Sequence, residues 1–313
     1  MNNLTFRRSC SFGLALSALI VLCAGPVYAQ WRPKPPISVP GATETHINSI
    51  NNMGTMVGTA FFGATAQGLV IDPNGAITMV NFPGATGTFL QGVNDAGNIS
   101  GFYTDSVGGT HGFIEIGGVF GTHDFPGATS TQLFGLSNTG QAAATFIGSG
   151  VTHSAVYNST TATWTIIKVP TGTTSSEARG ISVDTNLNLA CGYYTDGNGV
   201  THGYLYNIKT AGFTTFDHPL ATGGSTQLFG VNGNGYAVGA YLDFNLTPPH
   251  WFVMAPSRNL DITPPPNADS FNLIAMNDQK TLVGTMTDAL GAVTGLEELY
   301  SYPIGNILNN LLD

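Results

Sequence analysis

The chain is poor in cysteine and in charge. Of its three cysteines, Cys10 and Cys23 lie near the N-terminus, and Cys191 is the only one in the body of the chain. A single cysteine excludes a framework of internal disulfides. Only 9% of the residues are charged, and the net charge is −9. This acidic balance argues against nucleic-acid binding, which needs a basic face, and against electrostatic docking on anionic membranes.

The N-terminal segment has the features of an export signal. Arg7 and Arg8 precede an apolar run over 12–24 that is too short to span a bilayer comfortably. Val27 and Ala29 provide the small residues of a cleavage site. We expect residues 1–29 to be a signal peptide cleaved after Ala29, giving a secreted or periplasmic protein with no transmembrane segment. Lipidation at Cys23 is the alternative, although Leu22 precedes it where a small residue is expected.

Long helical periodicity is missing from the body of the chain, whereas 41 glycines indicate many turns. A short Pro-Gly-Ala-Thr sequence recurs every 43 to 49 residues, each time followed by an apolar residue next to Asn or Ser. The Pro-Gly-like turns begin at these six prolines: Pro40, Pro83, Pro126, Pro170, Pro219 and Pro264.

Each copy of the repeat predicts four short strands. In the fifth copy these are 227–231, 236–242, 250–254 and 260–263, rich in aromatic and β-branched residues and bounded by Gly, Asn, Asp or Pro. Four strands per 43–50 residues is the spacing of propeller blades. We therefore predict an all-β, six-bladed β-propeller over 37–302, in which Ile37 to Val39 complete the last blade; an open β-solenoid is the alternative.

Two short segments flank this predicted ring. Residues 30–36 form a Pro-rich arm. Residues 303–313 carry apolar side chains with helical spacing and predict a short amphipathic tail.

The repeat resembles that of the HAF-repeat family, bacterial extracellular proteins named for a His-Ala-Phe step. The resemblance is clearest from Pro83 to Phe113, which contains Pro-Gly-Ala-Thr, then Gly-Val-Asn-Asp-Ala-Gly-Asn-Ile, and then His-Gly-Phe. Ser100 stands where an apolar residue is usual, and Gly112 replaces the alanine of the family step. The resemblance spans about 37–300. It implies export and a repeat-built β fold, and it implies no activity, substrate or catalytic residue.

Motifs for nucleotide, metal and nucleophile chemistry are absent from the sequence. We therefore predict no cofactor and no metal, and we interpret Cys191 as a core residue because valine occupies its place in other copies. Acidic residues do precede the recurring histidine, and Asp–His pairs can perform acid–base chemistry or can simply fix a turn. The ligand-binding candidates are Asp105, His111, Asp196, His202, Asp243, His250 and Trp251.

Three functional hypotheses remain open at this stage. The first is a non-catalytic module that binds a glycan or another surface molecule, such as a protein. The second is a polysaccharide hydrolase or lyase with its site at one mouth of the ring. The third is a structural or adhesive envelope protein. Glu177 and Arg179 are interpreted as a solvated ion pair in an extended loop, and the oligomeric state is left open.

Overall fold

The computed structural model describes residues 34–299, except 185, 223, 244–248, 257 and 266. The signal peptide and the C-terminal tail predicted above lie outside the described residues, as does most of the Pro-rich arm. The described residues are all-β and contain no helix, so none of them forms a helix able to cross a membrane.

Antiparallel pairing divides the 23 strands into successive groups. Group one is β1 (Glu44–Ile50), β2 (Met56–Phe62), β3 (Thr65–Ile71) and β4 (Ile77–Met79). Group two is β5 (Gly87–Val93), β6 (Ile99–Thr104), β7 (Thr110–Ile116) and β8 (Val119–Thr122). Group three is β9 (Ser130–Leu136), β10 (Gln141–Gly148), β11 (Val151–Asn158) and β12 (Thr163–Ile166).

The second half of the chain repeats this order. Group four is β13 (Ser175–Ile181), β14 (Leu189–Thr195), β15 (Thr201–Asn207) and β16 (Gly212–Phe216). Group five is β17 (Ser225–Val231), β18 (Ala237–Leu242), β19 (His250–Ala255) and β20 (Arg258–Ile262). Group six is β21 (Ala268–Met276), β22 (Thr281–Asp288) and β23 (Val293–Leu299).

Single parallel pairings join the groups into three sheets of seven or eight strands. Thr110 pairs with Ser130, Thr201 with Ser225, and Glu44 with Val293. The last pairing brings group six beside group one. Ile37 exchanges two backbone hydrogen bonds with Gly295 of β23, at 2.9 and 2.8 Å, so the start of the body adds to the last group.

Buried asparagines explain the apolar-Asn step of the repeat. The Oδ1 of Asn51 accepts hydrogen bonds from the backbone of its own turn, at Met53 and Thr55. Its Nδ2 donates to the carbonyl oxygen of Asn94 in the next group, at 2.8 Å. Asn232 likewise donates to Asn277, at 3.0 Å. One side chain therefore fixes a hairpin and ties two groups together, which satisfies a polar group that is almost fully buried.

The core lies between neighbouring groups. Its centre is formed by alternate residues of the inner two or three strands, such as Leu90 and Phe113, which are fully buried. Cys191 is also fully buried, in the cluster that contains Leu228 and Phe252. Burial raises the pKa of its thiol, so the prediction of a core cysteine is confirmed.

Candidate functional site: the axial channel

The predicted Asp–His pairs lie on the hairpins between the second and third strands of their groups. Asp105 accepts hydrogen bonds from the backbone N–H groups of Val107 and Gly109, at 2.9 and 2.7 Å, and its second oxygen lies 3.3 Å from Nε2 of His111. On its other side, Nδ1 of His111 lies 2.7 Å from Asp124. These hydrogen bonds raise the pKa of His111, most strongly through Asp124.

Group four repeats this arrangement. Asp196 accepts hydrogen bonds from the backbone of Asn198 and Val200, which makes the Asp-Gly-Asn-Gly segment a closed turn. The second oxygen of Asp196 lies 3.8 Å from Nε2 of His202, and Nδ1 of His202 lies 2.8 Å from Asp217. In group five, Asp243 lies 3.4 Å from His250.

Aromatic stacking explains where the histidine occurs. His111 stacks on Tyr103, with 5.2 Å between ring centroids, and Phe82 also stacks on Tyr103, at 3.7 Å. Histidines also stack on the aromatic residue of the preceding strand in groups three, four and five: His153 on Phe146, His202 on Tyr194, and His250 on Tyr241. Groups one and six carry Ala60 and Met286 at this position, and neither has the histidine. The motif therefore forms a stack within a single group.

Trp251 lies in the core. Its side chain is buried, and its ring contacts Phe229 and Phe271 at centroid distances of 5.4 and 6.3 Å. The seven sequence candidates are thus spread over three separate groups, and the structure brings only hairpin partners together.

A different set of residues converges on a common axis. One small cavity, of about 30 Å³, touches the first strand of every group, from β1 to β21. Its lining includes the extra residue of a β-bulge on five of these strands, which the register to the second strand skips. A bulge redirects its side chain. These residues are Asn48, Gln91, Arg179, Phe229 and Ile274.

Small residues follow each bulge because neighbouring inner strands are in backbone contact. A Cβ on Gly92 would lie 2.5 Å from the carbonyl oxygen of Phe134 in the next group. A Cβ on Gly180 would lie 2.6 Å from the carbonyl oxygen of Phe229, and one on Gly230 equally close to that of Ile274. The first strands therefore meet closely around this small cavity, and we call the space that they surround the axial channel.

Six cross-strand pairs continue the strand face that carries the bulge residues. In each pair the first-strand residue lies two positions before the bulge residue, or before the equivalent position in group three. It therefore lies on the same strand face as that residue. The pairs are His46–Thr59, Phe89–Phe102, Gln132–Thr145, Glu177–Tyr193, Gln227–Ala240 and Asn272–Thr285. The first-strand members are partly exposed although they lie on the innermost strands. We call them, together with the five bulge residues, the channel residues.

The channel residues differ between most groups, apart from Gln132 and Gln227, whereas their neighbours along the strand are nearly constant. The positions between them hold Ile47, Leu90, Leu133, Ala178, Leu228 and Leu273, all fully buried. The channel residues include five amides, two phenylalanines, one glutamate, one arginine and one histidine. The repeated scaffold is therefore kept uniform for packing, while the axis carries an asymmetric set of side chains.

Group four contributes a pair of oppositely charged channel residues. Arg179 donates a hydrogen bond to Glu177 at 3.2 Å and lies 4.3 Å above the ring of Phe134. Burial raises the pKa of Tyr193, and the adjacent Glu177 carboxylate adds to the effect. Both charged side chains lie on β13, so the prediction of an extended loop was wrong. Strand periodicity was hidden because the bulge interrupts it.

Group one contributes a histidine to the channel residues. His46 lies 2.8 Å from Glu44 through Nε2 and 3.4 Å from the hydroxyl of Thr285 through Nδ1. Its ring also meets the edge of Phe61, at 5.3 Å. The side chains of His46, Glu177 and Arg179 are 30, 29 and 27% exposed, so this part of the channel is open to water. Among the described residues, no group of three or more His, Cys, Asp or Glu is placed to hold a metal ion.

Comparison with solved structures identifies β-propeller proteins. TolB from Acinetobacter baumannii superposes with a TM-score of 0.51 at 11% identity, over 76% of this chain and 60% of that one. The SapL1 lectin, solved with α-methyl fucoside, gives 0.50 at 12% identity, over 83% of this chain and 96% of that one. A catalytically inactive virginiamycin B lyase from Staphylococcus aureus gives 0.46 at 15% identity, over 84% and 83%.

No protein-family model matches the chain, and no curated protein matches it. The similarity to solved structures therefore concerns the fold alone: this chain has a propeller-like, all-β fold.

Proposed function

We propose that this chain is an exported six-bladed β-propeller of the HAF-repeat type that binds a glycan in its axial channel without chemically changing it. The proposed blades are the strand groups, with Ile37 completing the sixth. Three features support a closed ring over a solenoid: the cavity shared by all first strands, the pairing of Glu44 with Val293, and the hydrogen bond from Asn277 to Asn51.

The variation of the channel residues carries the functional part of the proposal. Amides and single charges provide donors and acceptors for hydroxyl groups, and phenylalanine rings provide apolar faces. Binding sites combine such polar groups with apolar walls in a concave space. A purely structural ring has no need for different residues at equivalent positions around its axis. The SapL1 lectin supports the proposal only as an example of a protein with a similar fold that holds a sugar.

A glycan array tests the proposal directly. The chain from residue 30 to 313 is screened, and the affinity of any hit is measured by calorimetry. We expect Gln132→Ala and Glu177→Gln to weaken binding by about tenfold or more, because the first removes an amide and the second replaces a charged acceptor with a neutral amide. The matched controls His111→Gln and Asp196→Asn alter hairpin residues and are expected to leave the affinity unchanged. Loss of binding in the hairpin variants alone would move the site to the hairpins.

One observation favours a hydrolase or lyase as a second candidate. His46 is held between Glu44 and Thr285, an arrangement in which an acidic residue orients an imidazole that can act as a base. Product analysis of each bound glycan distinguishes the two candidates. Turnover that is lost in His46→Gln would replace the binding proposal, whereas self-association without any ligand would favour a structural or adhesive protein.

A further inference from the structure

Group five differs from the others in the channel pair that borders the axis. In group two the corresponding pair, Phe89 and Phe102, fills its space with two stacked rings, 4.6 Å apart and nearly parallel. In group four the second member is Tyr193. In group five the pair is Gln227 and Ala240, so the place of the second ring holds a single methyl group.

A cavity of about 290 Å³ lies at this pair. Its lining residues come from β17 and β18 and from the residue that precedes β19. They are Ser225, Gln227, Ala240, Tyr241, Leu242 and Pro249. None of them carries a formal charge, and the exposed lining is mainly apolar. Gln227 belongs both to this cavity and to the channel residues, so the cavity opens beside the axis.

Trp251 lies beside Ala240 on the core side of the cavity. The two residues pair across the strands and belong to one buried cluster, and the Trp251 ring packs on Phe229 and Phe271. Large aromatic side chains therefore pack around Ala240.

We propose that this cavity is a subsite for one uncharged pyranose residue of the glycan, an inference that rests on the proposed function. A saturated six-membered ring is comparable in size to the aromatic ring that occupies the equivalent space in group two. The amide of Gln227 and the hydroxyl of Ser225 provide donors and acceptors for ring hydroxyls, and Ala240, Leu242 and Pro249 contact the C–H face. The uncharged lining would leave a carboxylate unpaired and so selects against an acidic sugar.

Filling the cavity is the sharpest test. Ala240→Phe introduces the ring that Phe102 provides in group two, and Gln227→Leu removes the amide at nearly constant volume. The probes are methyl pyranosides, neutral or carboxylated, followed by saturation-transfer NMR and calorimetry. We expect neutral pyranosides to bind the unaltered chain, and Ala240→Phe to weaken them by about tenfold or more. Thermal denaturation shows whether each variant folds; if Ala240→Phe does not, Gln227→Leu decides, with at least about a threefold loss expected.

The outcomes separate the subsite from the general function. If the chain binds a glycan and both folded variants bind it equally well, the subsite is wrong and the axial proposal stands. Preference for carboxylated over neutral pyranosides also overturns the subsite. If the unaltered chain binds neither glycans nor pyranosides, the proposed function fails and the subsite fails with it.

Discussion

Nδ2 of Asn277 donates a hydrogen bond to the carbonyl oxygen of Asn51 at 3.1 Å, across 226 positions of the chain. The same atom pattern joins Asn51 to Asn94 and Asn94 to Ser137 between successive groups. The long-range contact therefore repeats a local one, so the last and first groups are joined by the same bond as groups one and two, two and three, and five and six.

Asn277→Ala should destabilise the fold by about 1–3 kcal/mol, because the carbonyl of Asn51 and the backbone N–H of Thr281 both lose a buried partner. The free energy of unfolding in urea measures the effect. Asn198→Ala, in an exposed hairpin turn, is the matched control and should change it by less than about 0.5 kcal/mol. Equal effects would mean that the junction adds nothing to stability.

Gly180→Ala should also destabilise, by about 1–3 kcal/mol or more, because its new Cβ would lie 2.6 Å from the carbonyl oxygen of Phe229 and force neighbouring inner strands apart. Gly197→Ala is the control, since a Cβ there meets its nearest atom, the carbonyl oxygen of Gly172, at 3.4 Å. Thermal unfolding of both variants tests the close approach. An unchanged unfolding temperature for Gly180→Ala would contradict close contact between the backbones of neighbouring first strands.

His111 should make a pH-dependent contribution to stability. Because Asp124 and Asp105 raise its pKa in the folded protein, this contribution is complete below the unfolded value of about 6.5 and disappears as the pH rises through the folded pKa. The difference in unfolding free energy between the unaltered chain and His111→Gln should therefore be larger at pH 5.5 than at pH 8.5. Asp124→Asn should reduce that pH dependence, and an unchanged profile would contradict the assignment.

His218 and Asp261 should behave in the opposite way. Nε2 of His218 and Oδ1 of Asp261 are buried without a hydrogen-bond partner among the described residues, at a separation of 3.7 Å. His218 stacks on Tyr241 just as Phe82 stacks on Tyr103. Burial lowers the pKa of His218. The contribution of the neutral histidine to the free energy of unfolding is therefore complete above the unfolded pKa of about 6.5 and is lost as the pH falls.

Replacing this pair with residues that other groups carry, as His218→Phe with Asp261→Thr, should raise the free energy of unfolding by about 1 kcal/mol and by more in acid. Urea denaturation at pH 5 and pH 7.5 measures the change. His250→Gln alters the exposed histidine that also stacks on Tyr241 and is the control. Lower stability of the double variant at both pH values would show that the polar pair is favourable.

The repeat allowed much of the fold to be predicted. Asn232 to Gly235 form a turn in which Gly235 has a φ of +79°, and the four strands of group five begin or end within two residues of their predicted bounds. These features depend on local turn chemistry, which short sequence patterns report. The number of blades stays a prediction.

The candidate site could not be predicted in the same way. Sequence comparison between copies directs attention to what recurs, such as His111 and His202, whereas Glu177 and Arg179 stand out because they do not recur. Arg179 was missed because the bulge shifts the alternation of β13, and a shift of one residue moves a side chain to the other face. The signal that could have found these residues is variation at one position between constant apolar neighbours.

The two backbone hydrogen bonds between Ile37 and Gly295 also constrain when the fold can be completed. The segment around Ile37 is synthesised more than 250 residues before its partner Gly295, so this pairing can form only once β23 is present. A chain shortened at either extremity is left with an unpaired strand edge, which invites pairing with a second molecule. Pairing of Ile37 with Gly295 thus shows whether the last strand group is complete.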